Sequence, residues 1–149
     1  MFEVIYLEKQ KVLFVCIHNS ARSQMAEELL RKIAGDRFET ESAGLEPGKL
    51  NPIVVDALKE EGIHIEGKQT KGVFDLYKAG NRYHYVIAVC DGASAERCPV
   101  FPGVAKNIHW SFTDPSKFEG SKEQKLAKVK EVKEEIKVKL QEWVKSIQV

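Results

Sequence analysis

Val12-Leu13-Phe14-Val15 is an unbroken apolar run that ends at Cys16-Ile17. Beyond it the apolar positions change spacing: Met25, Leu29, Leu30 and Ile33 recur as one helical face. The pattern predicts a strand from Lys11 to Ile17, a tight loop, and a helix from Ser23 to Ile33 that Gly35 stops. Phe38 to Ser42 reads as a second strand, with Ala43-Gly44 as a turn. Asn51-Pro52 opens another helix, Asn as the cap and Pro at the first helical position. Ile53, Val54, Ala57 and Leu58 face inward there, and Gly62 ends it. Gly67 to Asn81 is mixed, with one short helix around Asp75 to Ala79. Tyr83 to Val89 is nearly continuous apolar sequence, as a strand buried on both faces requires. Asp91 to Val100 is polar and reads as a short helix or a mobile loop; Asn107 to Trp110 is a fourth short strand. Ser121 and Gln124 form a capping box for a last helix. Its stripe is Leu126, Val129, Val132, Ile136, Leu140, Trp143 and Ile147, and the intervening lysines and glutamates read as a solvated face with no binding role. Residues 1–10 alternate loosely, as an N-terminal extension compatible with an extra edge strand.

Strands alternating with helices imply right-handed crossovers and a parallel sheet. The expected fold is α/β, three-layered, with a central four-stranded parallel sheet flanked by helices. A chain of 149 residues, 43% hydrophobic, suits a single domain over residues 1–149 with one core. The net charge of +1 provides no field toward nucleic acid or a membrane surface. No apolar run approaches the roughly 18 residues of a membrane span. Glu3, Glu8 and Lys9 interrupt the N-terminal residues and no cleavage-site pattern follows, so no signal peptide is expected. Three cysteines are an odd count, which favours reactive thiols in a reducing, cytoplasmic compartment over a disulfide framework.

The candidate chemistry lies in Cys16-Ile17-His18-Asn19-Ser20-Ala21-Arg22-Ser23, between the first strand and its helix. A loop entering a helix aims unpaired backbone N–H groups at one point, and the helix dipole adds positive charge there. Ile17 to Ser23 would therefore form an oxyanion cradle, in which a thiol is favoured as the thiolate. Arg22 offers a planar fork to two oxygens of a tetrahedral anion, and Ser23 can donate to the Cys16 sulfur. A lone cysteine at a strand end is more often a small buried hydrophobe; Arg22 and Ser23 at this offset favour a nucleophile instead. Sites in parallel sheets lie beyond the carboxyl ends of the strands. Cys16, Cys90 and Asp114 follow three such ends and should share one pocket. Asp114-Pro115 is also a common turn opener. On a rigid helix Cys90 and Cys98 would stand roughly 12 Å apart, whereas a disulfide needs Cα atoms within about 7 Å. Pairing them would require the segment to loop out. A zinc site is not expected, because no Cys-x2-Cys pair exists.

On these residues the chain resembles the thioredoxin-coupled arsenate reductases, which have the low-molecular-weight tyrosine phosphatase fold. The resemblance rests on the stretch from Cys16 to Glu27, Ser42-Ala43-Gly44, Asn51-Pro52, the Cys90/Cys98 pair ahead of Pro99, and Trp110 to Pro115. It implies that Cys16 attacks arsenate held by the loop amides and Arg22, with Asp114 protonating the departing oxygen. It implies further that Cys90 attacks Cys16 to release arsenite, and that Cys98 takes the disulfide onward to thioredoxin. No bound cofactor is expected. Some members bind potassium near the loop through residues matching Asn19, Glu27, Ser42 and an acidic side chain; Lys71 falls at the acidic position, and its ammonium is expected in the ion's place. Two other readings stay open. A tyrosine phosphatase needs only Cys16, Arg22 and Asp114, although Ser116-Lys117 supplies no aromatic wall for a phenyl ring. A redox-switched binding module would use the thiols without turnover.

Overall fold

In the computed structural model, which describes residues 9–90, 101 and 103–147, the first apolar run is a strand, β1 (Gln10–Cys16). Successive side chains on a strand point to opposite faces. Val12, Phe14 and Cys16 join one buried cluster and Leu13 and Val15 another. A strand apolar on both faces belongs at the centre of a covered sheet, and β1 is central. It pairs in parallel with β2 (Phe38–Gly44) on one side and with β3 (Tyr85–Ala88) on the other. The short β4 (Lys106–His109) extends the sheet beyond β3, giving the order β2-β1-β3-β4, all parallel. From β1 the chain crosses to β2 on one side and then returns past β1 to β3 on the other. The resulting crevice opens beyond the carboxyl ends of β1 and β3, where α/β sheets hold their ligands.

Helix α1 (Arg22–Ala34) packs on the first face with α2 (Pro52–Lys59) and the long α4 (Lys122–Ser146). Helix α3 (Val73–Lys78) covers the second face together with Phe101. The α4 stripe is buried as its spacing predicts, from Val129 through Trp143. The capping box forms in full, with Ser121 and Gln124 exchanging side-chain and backbone hydrogen bonds. Trp143 anchors the cluster through rings of Phe38, Tyr85 and Trp110, all within 5.9 Å of its own. Among the described residues no helix is long and apolar enough to cross a membrane.

Several boundaries differ from those expected. Gln10 opens β1 and pairs with Phe38 instead of belonging to a separate edge strand; residues 1–8 lie outside the described residues. The α3 helix starts two residues early, at Val73, because that side chain is buried in the second face. One lysine of α4 is not on a solvated face. Lys133 is 2% exposed and reaches Glu60 at 3.3 Å and Glu61 at 3.6 Å. With the Lys137–Glu61 pair at 2.7 Å, it ties α4 to the end of α2.

Ala43-Gly44 is strand and not turn. Gly44 pairs with Cys16, its N–H donates to the Lys71 carbonyl, and it bridges to Gly72. A Cβ at Gly44 would lie 2.8 Å from Asn19 N, His18 C and Ile17 O. The residue is glycine because the loop after β1 rests on it. Gly44→Ala is expected to cost about 1–3 kcal/mol through this overpacking. Urea unfolding would read that loss, with a parallel fall in whatever activity the loop supports.

Candidate active site

The loop after β1 is held by its carbonyls. Cys16 O accepts from Leu45 N, Ile17 O from Glu46 N, His18 O from Gly48 N and Ser20 O from Asn51 N, at 2.8 to 3.2 Å. Asn19 O accepts from the Gln24 side chain at 3.0 Å. With the carbonyls engaged by the segment 45–51 and by α1, the amides of the loop are left for the other side. Ala21 caps α1 with no side-chain hydrogen bond, so the helix also opens toward the site. The clamp on these carbonyls comes from residues after β2.

Asn19 is the keystone. It has φ 56, the left-handed region that asparagine tolerates better than most residues. Its N–H donates to Cys16 Sγ at 3.1 Å, and its Nδ2 donates to Ser23 Oγ at 2.8 Å. Because Ser23 Oγ already accepts there, its own hydrogen is free for the Cys16 sulfur, 2.9 Å away. Two donors therefore converge on a thiol that is 3% exposed and free. Asn19 Oδ1 accepts from Gln24 Nε2 at 3.1 Å and from the Lys71 amide at 2.8 Å.

Lys71 thus acts through its backbone, and the expectation for its ammonium is corrected. The ammonium behind the loop is that of Lys68, 2.8 Å from Glu27 and 2.9 Å from Glu28. Glu27 is 2% exposed and also accepts from Ser42 Oγ at 2.5 Å and from Arg31 at 2.6 Å. Burial works against the Glu28 charge, yet Lys68 and Arg31 outweigh it and hold that carboxyl below its ordinary range. Lys68 sits three residues from Lys71, and only the path of the loop into the Gly44–Gly72 bridge decides which of the two turns toward Glu27.

Arg22 is 5% exposed. Its Nη1 donates to Phe112 O at 3.1 Å, and its Nη2 lies 3.7 Å from Asp114 Oδ2. The fork is thereby aimed across the loop mouth, where Cys16, His18, Ser20, Ala21, Arg22 and Asp114 line one small pocket. His18 Nδ1 lies 3.1 Å from the Glu46 carbonyl and so carries a proton, leaving Nε2 for solvent or substrate. A larger groove, about 690 Å³, runs between Phe112 and α4 and contains neither thiol nor anion cradle.

Asp114 lines this pocket. It opens the short 3-10 turn Pro115–Lys117 by accepting from Ser116 N and Ser116 Oγ, at 2.9 and 2.8 Å. It also faces Arg22. Burial pushes its carboxyl up, but the Ser116 bonds and the Arg22 and Lys117 charges outweigh this and hold it below its ordinary value. A depressed native pKa stabilises the fold above the unfolded-state value, and that stability is lost as pH falls through the lowered one. Asp114→Asn keeps the cap and removes the charge. Its stability deficit against the parent should therefore be present near pH 7 and be lost as the pH falls below the ordinary aspartate range and through the lowered native value, as urea midpoints across pH would show.

Cys90 follows β3, fully buried, with its sulfur 3.9 Å from the carbonyl oxygen of Val15, the residue before Cys16. Cys90 is held in a disulfide, whereas Cys16 is free. Cys98 and the rest of 91–100 lie outside the described residues. Gln24, Lys68 and the carbonyl of Phe112 are site elements to which the sequence gives no role, although Gln24 and Phe112 lie within the stretches that carry the resemblance.

A parallel α/β sheet, a thiol in an amide cradle at the end of its central strand, and a facing Arg–Asp pair define a cysteine-dependent oxyanion-handling enzyme. The chain belongs to the low molecular weight phosphotyrosine protein phosphatase family, whose pattern matches residues 11–149. Among curated proteins it is similar to the arsenate reductase of Bacillus subtilis, 38% identical over 140 residues, covering 94% of this chain and 99% of that one. Among solved structures it resembles the arsenate reductase of Archaeoglobus fulgidus, with TM-score 0.63 and 33% identity over 84% of this chain and 98% of that one. It also resembles the thioredoxin-dependent arsenate reductase of Corynebacterium glutamicum, with TM-score 0.68 and 32% identity over 97% of this chain and 64% of that one.

Proposed function

We propose that this protein reduces arsenate to arsenite by a relay of three thiols that thioredoxin restores. The observation that carries the reading is a free Cys16 in the cradle with the Cys90 sulfur beside the residue that precedes it. A two-electron reduction of an oxyanion needs two thiols close to it. A third lets the oxidising equivalent leave by exchange.

Arsenate enters with its oxygens on the loop amides and the Arg22 fork. Its charge then competes with Asp114 for Arg22 and favours the protonated carboxyl, so Asp114 can donate to the departing oxygen. Cys16 thiolate bonds to arsenic and water leaves. Cys90 thiolate next attacks the Cys16 sulfur. The electron pair of the broken S–As bond passes to arsenic, arsenic(V) becomes arsenic(III), arsenite leaves, and a Cys16–Cys90 disulfide remains. Cys98 thiolate attacks Cys90, freeing Cys16 and forming the Cys90–Cys98 disulfide, which a dithiol of thioredoxin reduces. A free Cys16 next to a Cys90 already in a disulfide is the arrangement at the end of this relay. Such turnover needs a thiol-reducing compartment, the cytoplasm.

The phosphatase reading uses the same Cys16, Arg22 and Asp114 to form and hydrolyse a cysteinyl phosphate. It lacks a phenyl-binding wall: Ser116 and Lys117 are exposed polar residues, and the Lys128 ammonium stands over the nearby Phe118 ring. Hydrolysis of simple aryl phosphates is a side activity, since phosphate and arsenate share shape and charge. The deciding experiment is NADPH oxidation with thioredoxin and its reductase. Arsenate-dependent turnover supports the relay; aryl phosphate hydrolysis without it makes the protein a phosphatase.

A further inference from the structure

The last backbone rung between β3 and β4 is Trp110 N–H to the Ala88 carbonyl, at 2.8 Å. After it the chain leaves the sheet and runs through Phe112 to Asp114. In a parallel ladder the next β3 carbonyl on that side belongs to the residue two further on, Cys90. Among the described residues β4 ends before it could supply the next backbone donor. The side chain of His109 does so instead, with Nε2 at 3.2 Å from Cys90 O. A carbonyl can only accept, so Nε2 carries the proton. The ladder is prolonged by one rung made from an imidazole, at the residue that bears the second sulfur. On the opposite flank Val89 N–H donates to Val15 O at 2.9 Å. Cys90 is thereby held from both neighbouring strands, β1 through the preceding amide and β4 through its own carbonyl.

We propose that His109 is a positioning residue for the thiol relay: its hold on the Cys90 carbonyl keeps that cysteine's backbone at the sheet end, within reach of Cys16. The inference rests on the cysteine roles proposed above. Among the described residues no side-chain hydrogen bond joins His109 to Cys16, Arg22 or Asp114, so the two chemistries of the site should part when it is changed.

The test uses the full chain with Cys98→Ser, in which Cys16 and Cys90 are the remaining thiols. Diamide oxidises the reduced protein: the two thiols give up two electrons and two protons, one S–S bond forms, and diamide becomes the hydrazine. Closure is followed by alkylation and mass spectrometry. His109→Ala is expected to slow Cys16–Cys90 closure about fivefold to tenfold, the cost of one ordinary hydrogen bond. His109→Gln, whose amide can donate to the same carbonyl, should recover most of the rate. Aryl phosphate hydrolysis, which engages Cys16, Arg22 and Asp114 but not Cys90, should change little in either variant. Closure at the parent rate in His109→Ala would overturn the proposal. So would closure and hydrolysis falling together in both variants, or a glutamine variant no better than alanine. Absence of any Cys16–Cys90 bond in the parent would overturn the cysteine roles and this inference with them.

Discussion

Cys90→Ser is expected to abolish arsenate turnover and to leave the hydrolysis of a simple aryl phosphate near its starting rate. The cradle is complete without Cys90: the loop amides, Arg22 and Asp114 are held by Asn19, Ser23, Phe112 and the segment 45–51. Anion binding and the first attack by Cys16 therefore survive. What disappears is the second electron pair, because a serine hydroxyl does not attack sulfur. The arsenic bound to Cys16 could leave only by hydrolysis, unreduced. Steady-state NADPH oxidation and aryl phosphate release from the same preparation make the comparison, and equal loss of both activities would remove Cys90 from the relay.

Arg22→Lys should depress both activities, by about 10²–10³ in kcat, the usual cost of removing an oxyanion donor from a preorganised site. Charge is retained, so the loss measures geometry. Only a planar fork can donate to Phe112 O, approach Asp114 and still present N–H groups to two oxygens of a tetrahedral anion. The lysine ammonium is a single point on a flexible stem and would satisfy one of these partners at a time. Because the residue is nearly fully buried, the neutral Arg22→Ala should lose at least as much and also loosen the Phe112–Asp114 loop. Burst-phase measurement of the first thiol adduct would place the defect in the step before Cys90 acts.

Legibility differed by the range of the forces involved. Among the described residues the strands, the helices and the caps at Asn51 and Ser121 follow from apolar spacing and from side chains that bond within three residues of themselves. Cys16, Arg22 and Ser23 were legible for the same reason, since one strand–loop–helix unit contains them. Gly44 reads as a turn yet is strand, because a glycine that admits a crossing backbone looks the same in sequence as one that allows a bend. The ammonium beside Glu27 belongs to Lys68 and not to Lys71, and no local signal tells that Lys71 spends its amide on Asn19. Lys133 looked like one more surface lysine until α2 brought Glu60 and Glu61 against it.

By itself, then, the order of residues determined the βαβ grammar and the placing of Cys16, Arg22 and Ser23 in one strand–loop–helix unit, whereas of the three strand ends expected to share a pocket only those of Cys16 and Asp114 line it. Periodicity and short-range hydrogen bonding suffice for the grammar and the unit, because each concerns neighbours in the chain. Only the tertiary structure decided what clamps the loop carbonyls, which lysine faces the buried glutamate, and that His109 reaches the Cys90 carbonyl. Those contacts join residues 19 to 52 positions apart, and sidedness at such range is set by packing the whole sheet.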